Sequence, residues 1–144
     1  MKRYNILPLI LMVLMLFFSP ANLLQAQKTD DNSGLDKKVR NFLNERRWYN
    51  MNVPEADGKK LYDLIIENNY TRALEIGTST GHSSIWIAWA LSKTEGKLIT
   101  IEINERRHKQ ALQNFKEAGL SEYIDARLGD AHDLVPKLKG PFDF

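Results

Sequence analysis

Apolar positions along this chain fall into three rhythms. Leu9 to Phe18 is an unbroken apolar run. Leu35, Val39, Phe42 and Leu43 then recur three or four apart, and this spacing predicts a helix from Leu35 to Trp48. Asn50 to Pro54 reads as a loop. Pro54 suits a first helical turn, and Glu55 to Asn68 reads as a helix with Leu61, Leu64 and Ile65 on one face. From Arg72 onward short apolar strands alternate with helices. Strands are predicted over Ala73 to Ile76, Lys97 to Ile101 and Ile124 to Leu128, and helices over Ser83 to Leu91 and 105–118. Asn104 is a good N-cap for the second of these helices, and Gly119 a good residue to end it. Asp130 can cap a short helix over 131–138, which Pro136 interrupts. Gly140-Pro141 breaks the chain again, and Phe142-Asp143-Phe144 reads as the start of a fourth strand.

Strand–helix–strand–helix–strand implies parallel strands joined by right-handed crossovers. The expected fold is α/β, a Rossmann-like, doubly wound parallel sheet. Strands 1–3 and the start of strand 4 make up only its N-terminal half. The chain is therefore expected to be C-terminally truncated, with part of its site beyond Phe144. In such sheets ligands bind outside the carboxyl ends of the strands. Glu75, Glu102 and Asp130 all fall at or just past predicted carboxyl ends.

The N-terminal run changes the domain picture. Lys2 and Arg3 precede it, Ser19-Pro20 ends it, and Ala26 offers a small residue at a cleavage point. This is the layout of a secretory signal peptide over residues 1–26, and the run is short for a membrane span. Residues 27–34 are polar and turn-rich and read as a linker, leaving 35–144 as the folded domain. The expected destination is export to a periplasm or beyond; a retained membrane anchor is the alternative, and membrane contact is expected only in that case.

Cleavage after Ala26 removes two of the 20 basic residues and leaves 18, which balances the 18 acidic ones. The formal charge of +2 on the whole chain is thus a property of the leader and gives no ground for nucleic-acid binding. The chain has no cysteine, which excludes disulfides, thiolate metal ligands and cysteine nucleophiles. His82, His108 and His132 lack metal-ligand spacing. His82, in the glycine turn, can touch a cofactor or substrate, whereas His108 reads as a surface helix residue. Trp86 and Trp89 read as core.

The candidate chemistry centres on Glu75-Ile76-Gly77-Thr78-Ser79-Thr80-Gly81-His82-Ser83. Two glycines four apart let the backbone turn tightly and approach a ligand. The helix that follows aims free N–H groups at that spot and favours a carboxylate or phosphate. Glu102, 27 residues after Glu75, can accept hydrogen bonds from both hydroxyls of a ribose. Ile103 beside it offers an apolar wall for a base, or ordinary core packing. Gly129, Asp130 and Ala131 can line the same pocket, although helix capping explains Asp130 equally well. A turn of pure architecture and an ordinary strand-end glutamate are the plainer readings of the same residues.

The acidic-x-Gly-x-x-x-Gly turn resembles motif I of class I S-adenosylmethionine (SAM)-dependent methyltransferases. From Trp48 to Phe144 the chain resembles, within that class, the catechol and caffeoyl-CoA O-methyltransferases (family 3). Thr100 to Asn104 resembles the family's ribose-binding segment, and Leu128-Gly129-Asp130-Ala131 its adenine-side segment. The resemblance implies transfer of a methyl group from SAM to a hydroxyl of a small phenolic or catechol-like molecule. It implies cofactor contacts from Met51, Val53, Glu75, Gly77, Thr78, Ser79, Gly81, Ser83, Glu102, Ile103, Gly129, Asp130 and Ala131. Ser83 and the helix start would take the SAM carboxylate, Glu75 its ammonium, and Tyr49 would wall the substrate. A divalent metal such as Mg and a lysine base would be held by residues beyond Phe144, so no catalytic or metal residue is assigned in this chain. A small hydroxylated substrate is the expected partner, nucleic acid is not, and a homodimer is expected of the complete chain.

Two other functions fit the residues. One is a non-catalytic exported module that binds a nucleoside-type ligand. The other is an α/β-hydrolase: Gly77-Thr78-Ser79-Thr80-Gly81 satisfies Gly-x-Ser-x-Gly, with Ser79 as nucleophile. The hydrolase reading leaves the acidic strand ends without a role.

Overall fold

The computed structural model describes residues 20–48 and 53–144, with side-chain surroundings from residue 33 onward. Tyr49 and Met51 lie outside the described residues. The chain divides into two compact units, Met1–Leu35 and Asp36–Phe144. The backbone is helical over Pro20–Glu45 (α1). Helix thus replaces the linker expected at 27–34: beyond Pro20 that stretch carries no proline, and Gly34 alone is a weak breaker. Among the described residues no helix is long and apolar enough to cross a membrane.

In the second unit α2 spans Glu55–Asn68, β1 Arg72–Ile76, α3 His82–Leu91, β2 Lys97–Glu102, α4 Glu105–Ala118, β3 Ile124–Leu128 and α5 Ala131–Leu134. The α4 limits follow from local chemistry. Asn104 Oδ1 accepts from the Arg107 N–H at 3.0 Å, and Gly119 ends the helix at φ +80°. Pro54 lies one position outside α2 rather than in its first turn: its ψ of 154° is extended, and its carbonyl accepts from Asp57 and Gly58. The helix expected over 131–138 is two short pieces, with a 3₁₀ turn at Val135–Lys137 where Pro136 lacks an N–H.

The three strands form a parallel sheet in the order β1-β2-β3. One core cluster holds the sheet to its helices: Ala73 and Leu98 from the strands, Ile65 from α2, and Ile87, Ala90 and Leu91 from α3. Each large aliphatic side chain of this kind contributes about 1.5–3 kcal/mol by burial. Trp86 and Trp89 are buried as expected. Gly58 lets α2 press against α3, because a Cβ there would stand 2.3 Å from Trp86 Cδ1.

The fourth strand expected at Phe142–Phe144 is not formed as a regular strand. The segment makes only two main-chain bonds to β1, from Asp143 N to Arg72 O and from Leu74 N to Phe144 O, each 3.0 Å. The Asp143 carboxylate also accepts from the Thr71 and Arg72 N–H groups. Pairing thus moves to the other edge of β1, so the order of the sheet reverses beside β1. That is the switch point at which ligands bind in open α/β sheets.

Candidate functional site

The carboxyl end of β1 and the turn after it open into a cavity of about 360 Å³, lined among others by Val53, Glu75, Gly77, Ser79 and Ser83. A second, more apolar cavity of about 500 Å³ is lined by Ile76, Ala131, His132, Val135 and Pro136. Ile76 lines both. These volumes suit a small organic ligand.

The two glycines of the turn do different work. Gly77 has φ +92° and Gly81 φ +90°, both in the region that favours glycine. A Cβ on Gly77 would meet nothing within 4 Å, so its bare backbone faces open space on the cavity wall. A Cβ on Gly81 would stand 2.4 Å from Phe115 Cε1. Gly81 therefore admits a core ring of α4 where a side chain would stand.

Glu75 is buried beneath this turn. Its Oε1 accepts from Ser83 Oγ at 2.5 Å, and its Oε2 accepts from Ser84 Oγ and from Thr100 Oγ1, the latter at 2.6 Å. Sheet register explains the last bond, because Glu75 and Thr100 are paired across β1 and β2. Thr78 Oγ1 lies 2.6 Å from Thr100 Oγ1. With the Thr100 proton on Glu75 Oε2, Thr78 is the donor in that pair. Burial pushes the Glu75 carboxyl above its usual range, against the three hydroxyl donors, which lower it. The Thr78 side chain is enclosed and serves this network, while Ser83 spends its proton on Glu75. Sequence reasoning gave both to a ligand; here Ser83 donates to the carboxylate and Thr78 reaches it through Thr100.

Glu102 is buried at the end of β2. Its Oε2 accepts from the Ser79 N–H at 2.7 Å and its Oε1 from the Asn104 N–H at 2.8 Å. Ser79 sits at φ +51°, so this carboxylate holds a strained residue in place. Each oxygen keeps a lone pair for another donor, which fits ribose hydroxyls. Ile103, next in sequence, is 69% exposed, and Ile76 at the end of β1 is 62% exposed. Ile76 is a cavity wall, while Ile103 stands exposed rather than packed in the core.

Gly129 N donates to Glu102 O at 2.9 Å, tying the third strand end to the second. Asp130 Oδ1 accepts from the His132 N–H at 2.8 Å and lies 2.9 Å from His132 Nδ1. Asp130 therefore caps α5, and the His132 N–H holds its carboxyl below the usual range. Ala131 lines the apolar cavity.

His82 has no nitrogen to spare for a cofactor. Nδ1 lies 2.9 Å from Val53 O, and Nε2 lies 3.3 Å from Trp86 Nε1. A carbonyl only accepts and an indole N–H only donates, so the ring is neutral with its proton on Nδ1. Burial pulls its pKa down in agreement. His108 is half-buried on α4 rather than freely exposed. Sequence reasoning missed Thr100, Ser84 and Asn114, whose Nδ2 donates to Thr80 O at 2.7 Å and braces the turn. Only the alternation of β2 could have pointed to Thr100. Among the described residues no group of three or more His, Asp or Glu could hold a metal ion.

Comparison with known proteins decides the family. A family model described as O-methyltransferase matches residues 26–144. The chain belongs to the O-methyltransferase family. A catechol O-methyltransferase from Niastella koreensis is 37% identical over 107 residues, covering 72% of this chain and 48% of that protein. Caffeoyl-CoA O-methyltransferase 1 from Eucalyptus globulus is 30% identical over 113 residues, covering 75% and 46%. The solved O-methyltransferase from Bacillus cereus, in complex with SAH, superposes with a TM-score of 0.62 at 30% identity, covering 77% of this chain and 51% of that one. The O-methyltransferase TomG from Streptomyces achromogenes, in complex with SAM, gives 0.62 at 34% identity, covering 76% and 50%. The chain spans about half the length of the curated relatives it matches. These O-methyltransferases share its Rossmann-like sheet, and no hydrolase stands among them.

Proposed function

We propose that this protein transfers a methyl group from SAM to a hydroxyl of a small molecule of phenolic or catechol-like character. The carrying observation is the open cavity at the end of β1, walled by the bare backbone of Gly77, in a chain of the O-methyltransferase family. The catechol and caffeoyl-CoA relatives support the acceptor class, and the relatives solved with SAM and SAH support the donor.

The donor supplies an electrophilic methyl carbon on a positively charged sulfur, which an acceptor oxygen displaces in line. Catalysis of such a step rests on positioning. Gly77 leaves room for the donor's close approach. The unused lone pairs of Glu102 accept from its ribose hydroxyls, and Ile103 and Ile76 cover its base. Ala131, at the start of α5, adds to the apolar wall. Glu75 places a buried carboxyl beside the cavity, and a cationic ligand there would favour its ionised form. The described residues do not fit a metal centre, so no step is routed through one.

The test is transfer of labelled methyl from SAM to a catechol by the purified protein. Glu102→Ala should abolish it. A folded protein that binds neither SAM nor SAH would refute the proposal. We propose export on the leader-like residues 1–26 alone.

A further inference from the structure

We propose that His82 is a positioning residue that holds one wall of the donor cavity in place. The imidazole touches the residues on both sides of positions 49–52. Trp48 stacks on it with ring centroids 4.4 Å apart and planes 29° from parallel. Val53 on the other side accepts its Nδ1 proton at 2.9 Å. The ring itself is set by the Trp86 indole, which donates to Nε2, and Trp86 is pressed against Gly58 at the start of α2.

Val53 lines the cavity together with Glu75, Gly77 and Ser79. His82 directly follows Gly81, so the residue that ends the glycine turn also fixes the opposing wall. Only 5% of His82 is exposed, and it reaches the cavity solely through Val53. Val53 is half-buried, and among the described residues its carbonyl has no other partner to hold it toward the ring, so Val53 O would be free to turn to water once its donor is gone. The turn and the wall would then no longer be held at a fixed spacing.

This inference rests on the methyl-donor reading of the cavity. Calorimetric titration of S-adenosylhomocysteine into the purified protein tests it, alongside thermal melts. An Asn side chain places its N–H near the Nδ1 position, and a Gln nearer Nε2. His82→Leu should weaken binding about five- to tenfold, the worth of one part-buried hydrogen bond. His82→Asn should recover most of that affinity, and His82→Gln should not, whichever of the two melts higher. Unchanged affinity in a folded His82→Leu protein would overturn the inference. If His82→Leu does not fold, equal affinities of the Asn and Gln variants would overturn it. Wild-type protein that melts normally and binds no S-adenosylhomocysteine would instead overturn the donor reading, and this inference with it.

Discussion

Gly77 and Gly81 share a backbone conformation but differ in what lies beyond the missing side chain, so alanine at each should fail differently. A left-handed φ costs an L-residue about 1–2 kcal/mol, and both sites incur it. At Gly77 the added methyl meets no protein atom, so Gly77→Ala should lose only that amount. At Gly81 the methyl would stand 2.4 Å from Phe115 Cε1 and 2.9 Å from Cζ. Phe115 is 1% exposed and has no free space to enter, so overpacking adds about 1–3 kcal/mol. The total of about 2–5 kcal/mol at Gly81 is a large part of a typical domain's 5–15 kcal/mol. Ligand binding should reverse the order. The Gly77 methyl stands in the cavity and should abolish S-adenosylhomocysteine binding in a protein that still folds. Gly81→Ala, where folded, should keep measurable affinity. Urea unfolding gives the stabilities, and calorimetry the affinities. Equal stability losses, or wild-type affinity in Gly77→Ala, would refute the division of labour between the two glycines.

Glu75 has its folded pKa raised by burial, so the folded state holds its proton longer than the unfolded state does. This group's contribution is full at low pH and is lost as pH rises from about 4.3 through the folded pKa. Glu75→Gln should remove that slope from a plot of stability against pH; an unchanged slope would show that Glu75 does not titrate as described. Glu102→Gln puts an amide N–H₂ against one of two backbone donors, Ser79 N or Asn104 N. It should cost about 1–3 kcal/mol of stability, with a parallel loss of S-adenosylhomocysteine affinity, and wild-type stability would count against the latch at Ser79. If residues 1–26 are a cleaved leader, mass spectrometry of protein recovered from the producing cell should find Gln27 at the N-terminus; an intact Met1 or Lys2 terminus would rule cleavage out.

What could be read from sequence was whatever local backbone chemistry decides. The ends of α4 were legible because Asn104 and Gly119 act on neighbours within four residues. β3 was legible because apolar Ile124, Ala126 and Leu128 alternate with charged Asp125 and Arg127 between turns. The acidic strand ends were legible as a cluster, since parallel strands must bring their carboxyl ends together. Partners brought together only by tertiary packing were not legible. Nothing near Gly81 in sequence announces Phe115, and nothing near Glu75 announces that Thr100 would lie beside it. His82 looked available because its two partners for Nδ1 and for stacking, Val53 and Trp48, lie about 30 residues upstream. The last residues read as a strand, yet two ladder bonds are too few to form one.

The order of the sheet also bears on how the chain folds as it is made. Each of β2 and β3 pairs with the strand just before it, so this edge can grow as soon as each crossover helix has emerged. The other edge of β1 waits for Asp143, 71 residues beyond Arg72. A nascent chain therefore carries an unpaired β1 edge until Asp143 has been made, and open edges invite pairing with other chains. Asp143 closes that interval at once, because its carboxylate takes the Thr71 and Arg72 N–H groups as its own backbone meets β1.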